Sequence, residues 1–275
     1  MQGRLPDFVI IGAIRSGTTS LARYLGAHPQ IYMADQKEVR FFNSNLDKGL
    51  EWYAMQFHKA LPDQIAGEAT PAYMSNADAM QNMADLLPDA RLIAVIREPA
   101  SRAWSHYWMR RERRRETRTF SEAIDQEMEV IARDGPDSPG LHYLNNGMYA
   151  HQLRRAVDLF SPNSMLVVIF ERMLSETSPE YRAACDFLGV STSFVPDILG
   201  SPINPYVGFR SLRLRDASRR LPAPLRRVVG RLNTRTGVSY PQIDEASRRV
   251  LLEFFAPHNR DLELLLSQSV PEWAG

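Results

Sequence analysis

The chain has 275 residues, 44% of them hydrophobic and 24% charged, and a formal net charge of +1. A chain of this length and make-up buries a substantial core without disulfide or metal staples, and its near-neutral total excludes a nonspecific electrostatic sponge for nucleic acid. Cys185 is the lone cysteine, no apolar run approaches the ~20 residues of a membrane span, and the opening residues show no signal-peptide pattern, so a reducing cytoplasm is the expected compartment.

In chain order, Phe8-Val9-Ile10-Ile11-Gly12 is a continuous β-rich apolar run, the pattern of a strand buried on both faces of a parallel sheet. A glycine-bearing loop follows, and Ser20–Leu25 reads as a helix; strand, glycine loop and helix together open a nucleotide-binding α/β fold. Helical periodicity returns over Leu50–Phe57 and Ala77–Leu87. Ala90–Ile96 is a second buried strand, ending at Arg97-Glu98-Pro99, where Pro99 is placed to start a helix to about Met109. Helices are expected at Phe120–Arg133, Tyr149–Phe160 and Pro179–Leu188, with a third core strand at Met165–Phe170. Pro-punctuated basic pieces lead to a last amphipathic helix, Ile243–Leu266, with a break expected at Pro257. The aromatic positions Trp104, Tyr107 and Trp108, at helical spacing, are read as core. The expected architecture is one α/β domain over residues 1–275, a central parallel sheet flanked by helices, with a largely helical part from about residue 207.

Gly12-Ala13-Ile14-Arg15-Ser16-Gly17-Thr18-Thr19 has the glycine spacing of a phosphate loop. Successive backbone N–H groups and a following helix N-terminus make such a loop an anion nest. Thr18 stands where nucleoside triphosphatases carry Lys, and the cation comes earlier, at Arg15. The second strand ends at Arg97, where enzymes of that class place an Asp that holds Mg²⁺. An arginine there repels the metal and attracts an anion directly, which suits a donor whose transferable group carries a single charge. The cationic residues are almost all Arg, the only lysines being Lys37, Lys48 and Lys59. One cluster spans Arg102–Arg118, and residues 210–235 hold nine Arg against the single acid Asp216. Planar guanidinium forks suit phosphate and sulfate oxygens, so an anion-lined cleft competes with the reading of plain solvated helix faces.

Four blocks taken together resemble the sulfotransferases that use 3′-phosphoadenosine 5′-phosphosulfate (PAPS), nearest the heparan-sulfate type and its bacterial relatives. They are Phe8–Leu25 with His28-Pro29; Lys37–Phe42 with Gly49–Tyr53 and Gly67–Tyr73; Leu92–Tyr107; and Gly147–Phe160 with Phe170–Leu174 and Phe187–Gly189. The segment Phe254–Leu262 resembles the closing helix of bacterial members. The resemblance implies the phosphate-loop-like sulfotransferase fold, PAPS as co-substrate, no required metal, and an acceptor that is a small molecule or glycan. It implies no specific nucleic-acid partner and no membrane span. Arg15, Ser16, Gly17, Thr18 and Thr19 would take the 5′-phosphosulfate, and Arg97 with Ser105 the 3′-phosphate. Glu38 would be the general base, with Lys37 and Arg40 beside it favouring its ionised form. Arg15 would also be catalytic, offsetting charge on the leaving oxygen; the family usually has Lys there. Tyr149 would frame the donor site. The family's loop that closes over the donor is not recognisable, and Arg210 in Gly208–Ser211 is the candidate to replace it. Lys37, Arg40, Glu68 and Tyr73 are the candidates to meet the acceptor. The competing functions are a metal-dependent phosphate-loop kinase of small molecules and a non-enzymatic polyanion-binding module. No residue pattern separates a saccharide acceptor from a lipid, peptide or phenol, nor a hydroxyl from an amine.

Overall fold

A computed structural model describes residues 3–173, 179–200, 208–209, 214, 217–218, 221–235 and 241–273. Five parallel strands form its main sheet, in the order β2-β3-β1-β4-β5. They are β1 Phe8–Gly12, β2 Ile31–Met33, β3 Ile65–Ala69, β4 Arg91–Ile96 and β5 Met165–Ile169. Three of these match the apolar runs of the sequence; β2 and β3 are additional. The short β3, Ile65-Ala66-Gly67-Glu68-Ala69, does not read as a strand because Gly67 and Glu68 interrupt it. Both have a structural reason to be there. Gly67 lies in register with Phe8, and a side chain at Gly67 would collide with the Phe8 ring. Glu68 is buried, and hydroxyl groups surround it.

Period-two alternation along β1 divides the core. Phe8 and Ile10 face one side with Leu21, Tyr24 and Leu25 of α1 (Thr18–Gly26) and Tyr181, Ala184 and Cys185 of α9 (Pro179–Leu188). Val9 and Ile11 face the other, with Phe41, Phe42, Tyr53, Met80, Met83 and Leu153. These come from α2 (Phe41–Ser44), α3 (Gly49–Ala54), α4 (Ala77–Leu86) and α7 (Tyr149–Leu159). A third apolar cluster joins Ala103, Tyr107, Phe120, Ile124, Leu251 and Phe255. It ties α5 (Pro99–Glu112) and α6 (Phe120–Asp134) to the last long helix. Tyr107 is buried and Trp104 and Trp108 pack against the cluster, as their helical spacing led one to expect.

Local chemistry sets the helix ends. Asn76 caps α4 by accepting from the Ala79 N–H at 2.8 Å. Thr119 and Glu122 form a reciprocal capping box on α6. After β5 come α8 (Phe170–Met173) and α9. Beyond residue 207 the described chain is not helical alone: β6 (Gly208–Phe209) pairs antiparallel with β7 (Thr234–Arg235), and α10 (Ala223–Asn233) lies between them. The final helix α11 runs Glu245–Leu266 without the break expected at Pro257. Pro257 and Glu253, whose carbonyl loses its helical donor, are both exposed, so water satisfies the freed group and the helix continues.

Connections from β1 lead first toward β3 and β2, then back across to β4 and β5. The reversal between β1 and β4 opens a crevice at the carboxyl ends of those strands, where open α/β sheets bind ligands.

Candidate active site

Three neighbouring strand ends, those of β3, β1 and β4, carry the residues singled out in the sequence. At the end of β1 the chain turns through Ala13–Gly17 into α1. Gly17 is the residue before the helix, at φ 90°, a left-handed conformation that glycine adopts without strain. A side chain there would also run into the Phe170 ring. Arg15, at φ 71°, swings toward α5, and its Nε donates to Ser105 Oγ at 3.1 Å. This bond joins the phosphate loop to the Arg97–Ser105 segment, two blocks ninety residues apart. Ser16 is fully buried, with the Tyr149 hydroxyl beside its own. A buried hydroxyl inside a phosphate loop is placed to donate to an oxygen-rich ligand. Thr18 is buried and Thr19 half-buried at the helix start.

Arg97 follows β4. Its guanidinium stacks 4.9 Å from the Phe170 ring centre, so one phenyl ring separates Gly17 from Arg97. Burial pushes the Arg97 pKa down, with Glu171 opposing that trend; a partly desolvated guanidinium is a strong anion receptor. Tyr149 is buried, and its hydroxyl donates to the Arg97 carbonyl at 2.8 Å. Burial raises that hydroxyl's pKa to about 12, so it remains a donor and fixes the Arg97 backbone from behind. Tyr149 thus supports the crevice wall, and its hydroxyl is committed to the protein.

Glu98 and Arg102 also carry weight here, and neither was singled out from the sequence. Glu98 accepts from the N–H groups of Ala100 and Ser101, at 2.9 and 2.7 Å, and so caps α5. Its own N–H donates to Glu171 Oε1 at 3.0 Å, while Glu171 Oε2 accepts from Trp273 Nε1 at 3.1 Å. Arg102 is fully buried and reaches the Ile14 carbonyl of the phosphate loop at 3.5 Å, the His142 carbonyl at 3.4 Å and the Tyr143 carbonyl. It is a strut under the loop. The Glu-Pro pair after Arg97 was the available signal for the cap; nothing in the sequence distinguishes Arg102 from its exposed neighbours.

Beside β3, Glu38 and Arg40 both occupy the left-handed region, at φ 56° each. Their side chains pair: Arg40 Nη2 and Nε donate to Glu38 Oε2 at 2.5 and 3.1 Å. Lys37 is exposed. Glu68 and Tyr73, expected to meet the acceptor, are instead buried beneath this turn. Glu68 Oε1 accepts from Tyr53 and Tyr73 at 3.0 and 2.9 Å, and Oε2 from Thr70 at 2.6 Å. The Val39 backbone adds a further hydrogen bond, and Thr70 Oγ1 accepts from the Arg40 N–H at 3.2 Å. Burial raises the Glu68 pKa, and these donors oppose the rise. Burial and the facing carboxyl push the Tyr73 hydroxyl up as well. The correction has a simple cause: a carboxylate this enclosed is stable only when surrounded by donors, and the donors it recruits are the hydroxyls under the Glu38–Arg40 turn. Arg210 lies outside the described residues.

The crevice therefore carries two cationic groups and a buried serine hydroxyl at β1 and β4, next to a carboxylate–arginine pair beside β3. Comparison with known proteins identifies the family. Residues 5–206 match the family described as the sulfotransferase domain. Human heparan sulfate glucosamine 3-O-sulfotransferase 3B1 is 31% identical over 256 residues, covering 93% of this chain and 62% of that protein. Mouse bifunctional heparan sulfate N-deacetylase/N-sulfotransferase 1 is 30% identical over 289 residues, covering 98% of this chain and 31% of that protein. The chain therefore spans less than two thirds of the length of either relative. A solved sulfotransferase from Alicyclobacillus acidocaldarius superposes with a TM-score of 0.74 at 28% identity, covering 98% of this chain and 99% of the other. A mouse sulfotransferase complexed with PAP shares the fold, at a TM-score of 0.52 and 15% identity over 96% of this chain and 87% of the other.

Proposed function

We propose, on the premise that this chain belongs to the sulfotransferase family, that it moves a sulfuryl group from PAPS to an acceptor hydroxyl or amine. The observation that carries this reading is the Arg15–Ser105 hydrogen bond, which brings the phosphate loop and the segment beginning at Arg97 together. The residues fit the nucleotide. The loop N–H groups, Ser16 Oγ, Thr18 and Thr19 would surround the 5′-phosphosulfate, and Arg97 with Ser105 the 3′-phosphate. The Ser16 hydroxyl supports this because it is buried inside the phosphate loop, where it can donate to a bound oxygen.

In the reaction, an acceptor oxygen or nitrogen attacks sulfur in line, the new bond forms as the sulfur–oxygen bond to the 5′-phosphate breaks, and adenosine 3′,5′-bisphosphate leaves. The acceptor proton passes to the Glu38 carboxylate; a positioned base of this kind contributes ~10²–10⁴-fold. Arg15 stabilises the charge that develops on the departing phosphate oxygen. Arg40 holds the Glu38 carboxylate in one orientation, and with Lys37 it offers cations to an anionic acceptor. A saccharide is the favoured acceptor class, because the relatives named above act on heparan sulfate. Those relatives include both O- and N-sulfotransferases, so both nucleophiles stay in the proposal.

The test is donor choice by calorimetry. Adenosine 3′,5′-bisphosphate is expected to bind without added metal, and Ser105→Ala to weaken it about tenfold, the cost of a charge-assisted hydrogen bond. Preferential binding of ATP with Mg²⁺, and metal-dependent phosphorylation, would instead identify a kinase.

A further inference from the structure

Helix α10 inverts the rule that the rest of the molecule follows. Leu225, Val228 and Leu232 expose 54%, 54% and 68% of their surface, and Leu221, just before the helix, 38%. Steps of four, three and four residues set these four side chains in a single stripe along one face. The helix meets the protein with other residues: Val229 and Gly230 are half-buried and Asn233 is buried. The stripe is thus the outward face of a helix whose inner face is already occupied.

Two more observations bear on what covers it. Arg226 and Arg227 are exposed on the same helix, and residues 210–235 carry nine Arg against one acid. The excursion also leaves and returns at one place, because Gly208 pairs with Arg235 and Phe209 with Thr234. Ends clasped in this way carry the helix without drawing its outer face into the core.

We propose that this face docks on an anionic lipid surface. The aliphatic stripe enters the boundary between headgroups and acyl chains, lying in the membrane plane, while the flanking arginines pair with lipid phosphates and carboxylates. Charge selects this occupant. A second copy of the chain meeting the stripe about a two-fold axis would bring arginine against arginine, whereas an anionic bilayer supplies an apolar layer and negative charge together. Among the described residues no helix is long and apolar enough to cross a membrane, so the contact is peripheral.

The experiment is co-sedimentation of the full chain with vesicles of phosphatidylcholine alone or mixed with phosphatidylserine. Binding is expected to the mixed vesicles, weak to the neutral ones, and to fall as salt is raised. The triple variant Leu225→Asn, Val228→Asn, Leu232→Asn is expected to lose binding, and Arg226→Gln with Arg227→Gln to weaken it about tenfold or more. Far-ultraviolet circular dichroism and nucleotide binding, both expected to match the parent protein, separate loss of docking from loss of folding. Three outcomes overturn the proposal: no binding to anionic vesicles, equal binding to both vesicle types, or a triple variant that binds as well as the parent. Sedimentation equilibrium showing a dimer that the triple variant dissolves would reassign the stripe to a second copy.

Discussion

Arg15 takes a place where a lysine would present a compact ammonium, and its reach changes what the residue does. The guanidinium reaches across to α5, where its Nε donates to Ser105 Oγ at 3.1 Å. Arg15→Ala is expected to lower kcat by about 10²–10³, the usual cost of removing a group that stabilises transition-state charge, while weakening adenosine 3′,5′-bisphosphate much less. Equal losses in steady-state kinetics and calorimetry would reject that division. Glu68 acts through another residue. It holds the backbone at Val39 and, through Thr70, at Arg40, and so positions Glu38 in its left-handed turn. Glu68→Gln keeps the shape but turns one oxygen into a donor facing donors, at a cost of about 1–3 kcal/mol. The expected signature is lower kcat with unchanged donor affinity, and smaller effects from Tyr53→Phe and Tyr73→Phe. A variant that loses stability yet keeps kcat would make Glu68 a purely structural residue.

At the level of the elements, the turn from β1 into α1 depends on Gly17. Gly17→Ala adds a methyl group at φ 90° against the Phe170 ring that carries Arg97. It is expected to destabilise the fold by about 1–3 kcal/mol and to weaken nucleotide binding, measured by thermal melting with and without adenosine 3′,5′-bisphosphate. This turn was legible in the sequence because its glycine spacing and the apolar run before it are local signals. So were β4, β5 and most helices. What was not legible depended on contacts across the sheet: β3 hides behind Gly67 and Glu68, whose reasons lie in Phe8, Tyr53 and Tyr73. The three-residue β2 is too short for any periodicity. Glu68 was read as a substrate contact because a carboxylate in a strand looks wasted until its donors are seen, and Pro257 was read as a break because its exposure is a tertiary fact. The Arg15–Ser105 bond joins two motifs that the sequence offered separately.

Across the whole molecule, acid is expected to unfold the protein through the junction of α5 and α6. Burial works against ionising Glu116, but hydrogen bonds from Arg118 and Tyr143 prevail and hold its pKa at about 2. Because that value lies below the unfolded one, the group stabilises the fold above about pH 4.5, and the contribution fades as pH falls toward 2. Glu116→Gln is expected to cost on the order of 3 kcal/mol at neutral pH, with the gap to the parent closing in acid. Nearby, burial keeps His142 neutral down to about 4. The unfolded chain therefore takes up a proton first as pH falls through about 6.5, and stability declines from there. Urea melts across this range should show both phases for the parent, and the Glu116→Gln variant should lack the lower one.

The small ladder between β6 and β7 has a further consequence. Two strands that stand side by side can be joined by a turn of a few residues as readily as by a long detour, since closure entropy grows only slowly with length. The helix carried between them can therefore be excised without lengthening the path from one strand to the other. Replacing residues 210–233 with Asn-Gly would return the chain from Phe209 to Thr234 directly; the shortened chain is expected to lose binding to anionic vesicles, and because Arg210 leaves with the segment, nucleotide binding is to be measured beside it.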